Sequence, residues 1–218
     1  MKPISSSLIH RVLMPERSTG TMYPTLLMLH GRGADEEDLL GLSSYLDDRL
    51  LILSVRAPLP FTYGGGYTWY EFDAVGTPEP NMFRESYEKL VLFLDDALKA
   101  YPIDKKKIFL FGFSMGAMMS YSLSLTRPEV FRGVMANSGY IPEGTYLTYR
   151  WKDIAHLEFF IAHGSLDPVI PATLGKRAKD LLKAEGARLT YKEYPMGHQI
   201  SEESLADLAA WLKLRLET

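Results

Sequence analysis

IFLFGFSMGAMMS, Ile108 to Ser120, is the stretch that decides the fold. Ile108 to Phe111 reads as a buried strand, and the pattern then passes through Gly112-Phe113-Ser114-Met115-Gly116 into a helical one with no polar loop between. So short a connection forces a sharp turn that holds Ser114 at its apex in a cramped backbone conformation, with the hydroxyl pushed outward. Glycine at 112 and 116 lets the strand and helix backbones approach where a side chain would intrude. Gly-x-Ser-x-Gly is a weak pattern alone, but a strand before it and a helix after it are the context that a nucleophile elbow requires.

Outward from this turn, short apolar runs recur at Leu8–Met14, Thr25–Leu29, Leu51–Val55, Gly133–Ala136, Leu157–Ala162 and Leu189–Tyr194. Helical periodicity appears at Glu36–Leu46, Met82–Ala100, Met115–Leu125, Ala172–Ala184 and Glu202–Leu216. Strands alternating with helices imply an α/β fold, with a mostly parallel sheet of about seven strands and helices on both faces. The first strand is expected to run antiparallel, because no helix separates it from the second. Asp35 is placed to cap the first helix, Pro171 to start the fourth, Gly186 to close it and Ser201 to cap the last. Two stretches, Arg56–Pro80 and Tyr140–Lys152, lack clear periodicity and read as ordered functional loops.

The chain has 218 residues, 46% hydrophobic and 23% charged, which suits one domain over residues 1–218 with a sizeable core. Its net charge is -3 and its 24 basic residues are scattered, so no nucleic-acid partner is expected. The basic run Lys105–Lys107 reads as a solvated turn. With no cysteine, disulfides, thiolate metal sites and a cysteine nucleophile all drop out, and serine is left as the natural nucleophile. Met1 to Ser18 lacks the apolar core of a secretory signal and no later run is long enough to cross a bilayer, so the expectation is a cytoplasmic protein without a membrane partner.

A serine hydroxyl needs a base to take its proton, and the base needs a third group to fix its tautomer. In an open parallel sheet these partners belong just past the carboxyl ends of later strands, in the order serine, acid, histidine. Among the aspartates after Ser114, Asp180 and Asp207 fall within helices and Asp153 precedes a strand, whereas Asp167 follows one in FFIAHGSLDPVIP. Asp167 is therefore the candidate acid. His156 enters a strand and His163 lies only four residues before Asp167, while His198 sits in YPMGHQIS after the final strand and is the candidate base. His163 is assigned a structural hydrogen-bonding role, His30 a buried scaffold role and His10 a place on a strand surface.

Acyl transfer also needs donors aimed at the developing oxyanion. The backbone N–H of Met115, next to the nucleophile, is one candidate, and that of Arg32, between Gly31 and Gly33 in MLHGRGADEED, is the other. The Arg32 guanidinium itself reads as solvated or salt-bridged.

With these residues in place, the chain resembles the phospholipase/carboxylesterase family of small α/β-hydrolases, which also contains acyl-protein thioesterases. The segments LHGRG, GFSMG, HGSLDPVIP and YPMGHQIS, in this order, carry the resemblance over nearly the whole chain. It implies an α/β-hydrolase fold, a Ser114–Asp167–His198 triad, an oxyanion hole at Arg32 and Met115, and hydrolysis of carboxylic esters without a cofactor or metal, often by a homodimer. Many relatives carry glutamine after the serine and Gly-Gly beyond it, where this chain has Met115, Gly116 and Ala117. The backbone donor survives that change, whereas acyl-chain preference and thioesterase activity transfer less directly.

Seven strands and their helices leave few residues for a lid or large cap, so an open cleft for short to medium acyl esters is expected. Aromatic residues of the two loops, foremost Phe61, Tyr67, Trp69 and Tyr140, either line that cleft or pack the loops onto the domain. Thioesterase or lysophospholipase activity on the same machinery, and a non-catalytic binding protein on a hydrolase scaffold, are the competing functions.

Overall fold

The apolar runs have side chains that suit burial on both faces, and the computed structural model, which describes residues 1–18, 20–74 and 77–217, places them in one sheet. Its strands are β1 (His10–Leu13), β2 (Tyr23–Leu29), β3 (Leu51–Val55), β8 (Ile103–Phe113), β9 (Gly133–Asn137), β10 (Glu158–Gly164) and β11 (Arg188–Tyr194). Two small hairpins fall between β3 and β8, pairing β4 (Leu59–Pro60) with β5 (Tyr67–Thr68) and β6 (Phe72–Ala74) with β7 (Thr77–Pro78). The helices are α1 (Pro80–Ala100), α2 (Met115–Thr126), α3 (Ala172–Ala184) and α4 (Glu202–Leu216).

The large sheet has the order β1-β3-β2-β8-β9-β10-β11. Its pairs are parallel except at β1, which runs antiparallel to β3 rather than beside β2. Period-two alternation splits each central strand between two cores. Leu27 and Leu29 of β2 and Leu110 of β8 face the core shared with α1, α2 and α3; Leu26, Met28, Phe109 and Phe111 face the one shared with α4. Helices therefore cover both faces, as continuous apolar strands require.

Three local readings are corrected. Glu36–Leu46 forms only a short 3-10 helix, Leu39–Tyr45, because Gly41 and the Ser43-Ser44 pair disfavour an α-helix. Asp35 caps no helix there; its carboxylate accepts from the Glu37 N–H. The basic run at Lys105–Lys107 is solvated as expected but lies within β8 rather than in a turn, at the irregularity between the pairs Tyr23↔Ile103 and Thr25↔Ile108. Third, His10 is buried: one ring nitrogen lies 3.1 Å from the Leu8 carbonyl and the other 2.5 Å from the Tyr101 hydroxyl. The remaining end signals act locally, since Ser201 closes a capping box and Gly186 follows α3 at φ 78°.

Candidate active site

The chain passes from β8 to α2 through Ser114 alone, at φ 55°, ψ -118°. For a residue with a Cβ this conformation costs about 1–3 kcal/mol and persists only where surroundings enforce it. Here the Ser114 N–H donates to the Asn137 carbonyl at the end of β9, 2.9 Å away. A Cβ on Gly112 would overlap the Gly116 carbonyl, and one on Gly116 would overlap the Leu29 carbonyl. The turn is thus wedged between two central strands.

Ser114 is 8% exposed, yet it lines an open cleft of about 310 Å³. His198 Nε2 stands 2.9 Å from Ser114 Oγ. Its Nδ1 stands 2.7 Å from Asp167 Oδ2. The other Asp167 oxygen accepts from the backbone N–H groups of Val169 (2.9 Å) and Ile170 (2.8 Å). Burial pushes the Asp167 carboxyl up, but the Ile170 N–H, His198 and the Val169 N–H outweigh it and hold the group below the usual carboxylate range. An ionised Asp167 can only accept, so Nδ1 of His198 carries the proton and Nε2 is left to accept from the Ser114 hydroxyl. Two backbone bonds, Ser165 N–H to Tyr194 carbonyl at 2.8 Å and Leu166 N–H to Met196 carbonyl at 3.1 Å, tie the loop of Asp167 to that of His198.

Of the oxyanion candidates, Met115 is the first residue of α2, and such N–H groups have no acceptor within their own helix. Arg32 and Met115 both line the cleft beside Ser114. The Arg32 guanidinium pairs with Glu71 and stands 4.6 Å from the centre of the Phe61 ring. His30 fixes the loop that carries Arg32: Nε2 accepts from the Ala57 N–H at 3.0 Å, which leaves Nδ1 to donate to the Gly31 carbonyl at 2.6 Å. Burial pushes the His30 pKa down, more than its bond to Gly31 raises it. His163 is fully buried and bonds to the Ile170 carbonyl at 2.8 Å, behind the acid.

The aromatic loop residues divide. Tyr140 lines the cleft. Trp69 does not: it is fully buried and donates to the His30 carbonyl at 3.0 Å. Tyr67 accepts from Arg56 at 2.9 Å, and Phe61 stacks under Arg32, so both brace the loop that carries Arg32 rather than the cleft. The remaining apolar lining comes from Phe72, Phe113, Met118, Val169 and Ile170. Met118 had a signal in the sequence, standing one helical turn beyond Ser114, and Val169 and Ile170 follow the acid. Phe72 had none. Among the described residues, no three His, Cys, Asp or Glu side chains gather as a metal site.

Residues 15–216 match the family model described as Phospholipase/Carboxylesterase. The chain belongs to that family. Acyl-protein thioesterase 1 of Debaryomyces hansenii is 32% identical over 164 residues, covering 70% of each chain. The putative hydrolase MhqD of Bacillus subtilis is 26% identical, covering 89% of this chain and 94% of its own. In three dimensions, the Bacillus cereus carboxylesterase superposes with a TM-score of 0.83 at 26% identity, covering 95% of this chain and 94% of its own. The Mesorhizobium loti carboxylesterase reaches the same TM-score at 22% identity and adds agreement of fold alone. The fold is the α/β-hydrolase fold, and membership of the phospholipase/carboxylesterase family makes the chain a carboxylic ester hydrolase. Among the described residues no helix is long and apolar enough to cross a membrane.

Proposed function

We propose that the protein is a serine carboxylesterase that hydrolyses short to medium acyl esters through a covalent acyl-enzyme, with Ser114 as nucleophile, His198 as base and Asp167 as its orienting acid. The observation that carries this reading is the unbroken hydrogen-bonded line Asp167–His198–Ser114 ending in the cleft. Ser114 Oγ attacks the ester carbonyl carbon while its proton passes to His198 Nε2. Backbone N–H groups of Met115 and Arg32 receive the negative charge that develops on the carbonyl oxygen. Collapse of the tetrahedral species breaks the bond to the alcohol oxygen, which leaves with the proton from Nε2. Water then attacks the acyl-enzyme, giving its proton to His198; the second collapse frees the carboxylic acid and returns that proton to Ser114. Apolar walls from Met118, Phe113, Val169 and Ile170 suit the acyl chain.

Thioesters form the second substrate class that the same steps serve, and the relatives named acyl-protein thioesterase favour it. The test is mass spectrometry after treatment with a fluorophosphonate. Wild-type protein gains one adduct on Ser114, and Ser114→Ala takes up none and loses about 10³-fold or more in p-nitrophenyl butyrate turnover. An adduct elsewhere, or near-normal turnover by the variant, overturns the assignment.

A further inference from the structure

Tyr140 belongs to two cavities at once. On one side it lines the cleft with Ser114, and on the other it lines a pocket of about 110 Å³ with Ile141, Leu174, Ala178 and Leu181. The last three stand at successive turns on one stripe of α3. Glu143 and Arg177 stand at its exposed end: the Arg177 guanidinium holds both carboxylate oxygens, at 2.5 and 2.9 Å, joining the 140–143 loop to α3. The pocket is therefore apolar along α3, flanked by an ion pair, and shares one aromatic side chain, that of Tyr140, with the reacting cleft.

The backbone around Tyr140 is fixed more firmly than its ring. Asn137 binds the elbow through its carbonyl, and Ser138 is buried at φ 53°. Gly139 is pressed so closely on α2 that a Cβ there would come 2.5 Å from that of Ala117. The ring, in contrast, is tied through its tip by a hydrogen bond between the Tyr140 and Tyr70 hydroxyls. Tyr70 is fully buried, and the Met118 sulfur stands 2.9 Å from its hydroxyl oxygen. A hydroxyl latch on a fixed loop makes a side-chain partition.

We propose that the pocket behind Tyr140 is a subsite for the far end of an acyl chain, and that Tyr140, latched to Tyr70, is the partition that sets how long a chain the enzyme accepts. This rests on the esterase reading above and adds to it a limit on the substrate. Only saturated or lightly unsaturated hydrocarbon matches a lining of Ile141, Leu174, Ala178 and Leu181. The acyl half is the part concerned, because it stays covalently on Ser114 while the alcohol leaves and water enters through the open mouth. Opening the partition adds 110 Å³, room for about four groups of ~30 Å³ each, the size of a water and close to that of a methylene.

The test compares kcat/KM for p-nitrophenyl decanoate with that for the acetate. The ratio is expected to rise at least about tenfold in Tyr140→Ala and to a smaller extent in Tyr70→Phe, which keeps the ring but removes its latch. Leu174→Trp added to Tyr140→Ala refills the pocket and brings the ratio back. An unmoved ratio in both single variants, or a raised ratio that Leu174→Trp leaves in place, overturns the proposal. So does an equal response to lengthening the alcohol in a series of alkyl acetates. A separate arm needs no turnover: titration calorimetry of decanoate against butyrate on Ser114→Ala, with and without Tyr140→Ala. Preference for decanoate rising about tenfold with Tyr140→Ala supports the subsite even if Ser114 proves unreactive to fluorophosphonate, and no change overturns it.

Discussion

Replacing Asp167 by asparagine separates the role of its charge from that of its shape. The new carboxamide oxygen can keep both backbone bonds, from Val169 at 2.9 Å and Ile170 at 2.8 Å, so the acid loop has no reason to move. What changes is the atom facing His198 Nδ1 at 2.7 Å: an acceptor oxygen becomes an NH2 donor. The imidazole must then present an unprotonated Nδ1 to the amide, which places its proton on Nε2, the atom 2.9 Å from Ser114 Oγ. A protonated Nε2 cannot take the serine proton. By analogy with other serine triads, kcat should fall about 10⁴-fold, equal to about 5 kcal/mol of transition-state stabilisation. Steady-state hydrolysis of p-nitrophenyl butyrate measures the loss, and a thermal melt checks that the variant stays folded. A well-folded variant within about tenfold of wild type would show that the imidazole tautomer is set by something other than Asp167, and the mechanism above would fall.

Two further predictions concern the frame that holds the site. In Gly116→Ala the new methyl overlaps the Leu29 carbonyl, a backbone atom of a central strand that cannot yield, so the cost is about 3 kcal/mol or more and Tm drops about 10 °C by calorimetry. A Tm within about 2 °C of wild type refutes the close approach. The second concerns pH. Burial lowers the pKa of both His10 and His30 by more than their backbone hydrogen bonds raise it. Each is therefore neutral when folded and protonates more readily when unfolded, with an unfolded value of about 6.5. Their stabilisation is complete above that value and is lost as pH falls towards the depressed folded values. The urea midpoint should therefore fall between pH 7.5 and 5, and a midpoint constant over that range contradicts the burial of the two rings.

What could be read from the chain depended on whether the signal was local. Pro171, Gly186 and Ser201 bound α3 and α4 at Ala172–Ala184 and Glu202–Leu216 because caps act within one turn. Ser114, Asp167 and His198 could be picked out because each follows a strand, and parallel strands deliver their carboxyl ends to one edge. Residues whose surroundings are made by distant chain were not readable. His10 is buried by Tyr101, 91 positions away, and Lys105–Lys107 is carried within a strand whose pairing with β2 at Ile103 and Ile108 brackets it. Aromatic residues in a loop carry no mark of which way they face: Trp69 turned into the core and Tyr140 into the cleft.

The order of the sheet gives the three proposed participants unequal footing. Ser114 leaves β8, which has neighbours on both sides, whereas His198 follows β11, the outermost strand, paired with β10 alone. Border strands open at lower free energy than interior ones. On warming, transient peeling of that border would carry the imidazole away from a nucleophile still seated in its turn. Turnover would then fade at temperatures where circular dichroism still reads native, and cooling would restore it at once.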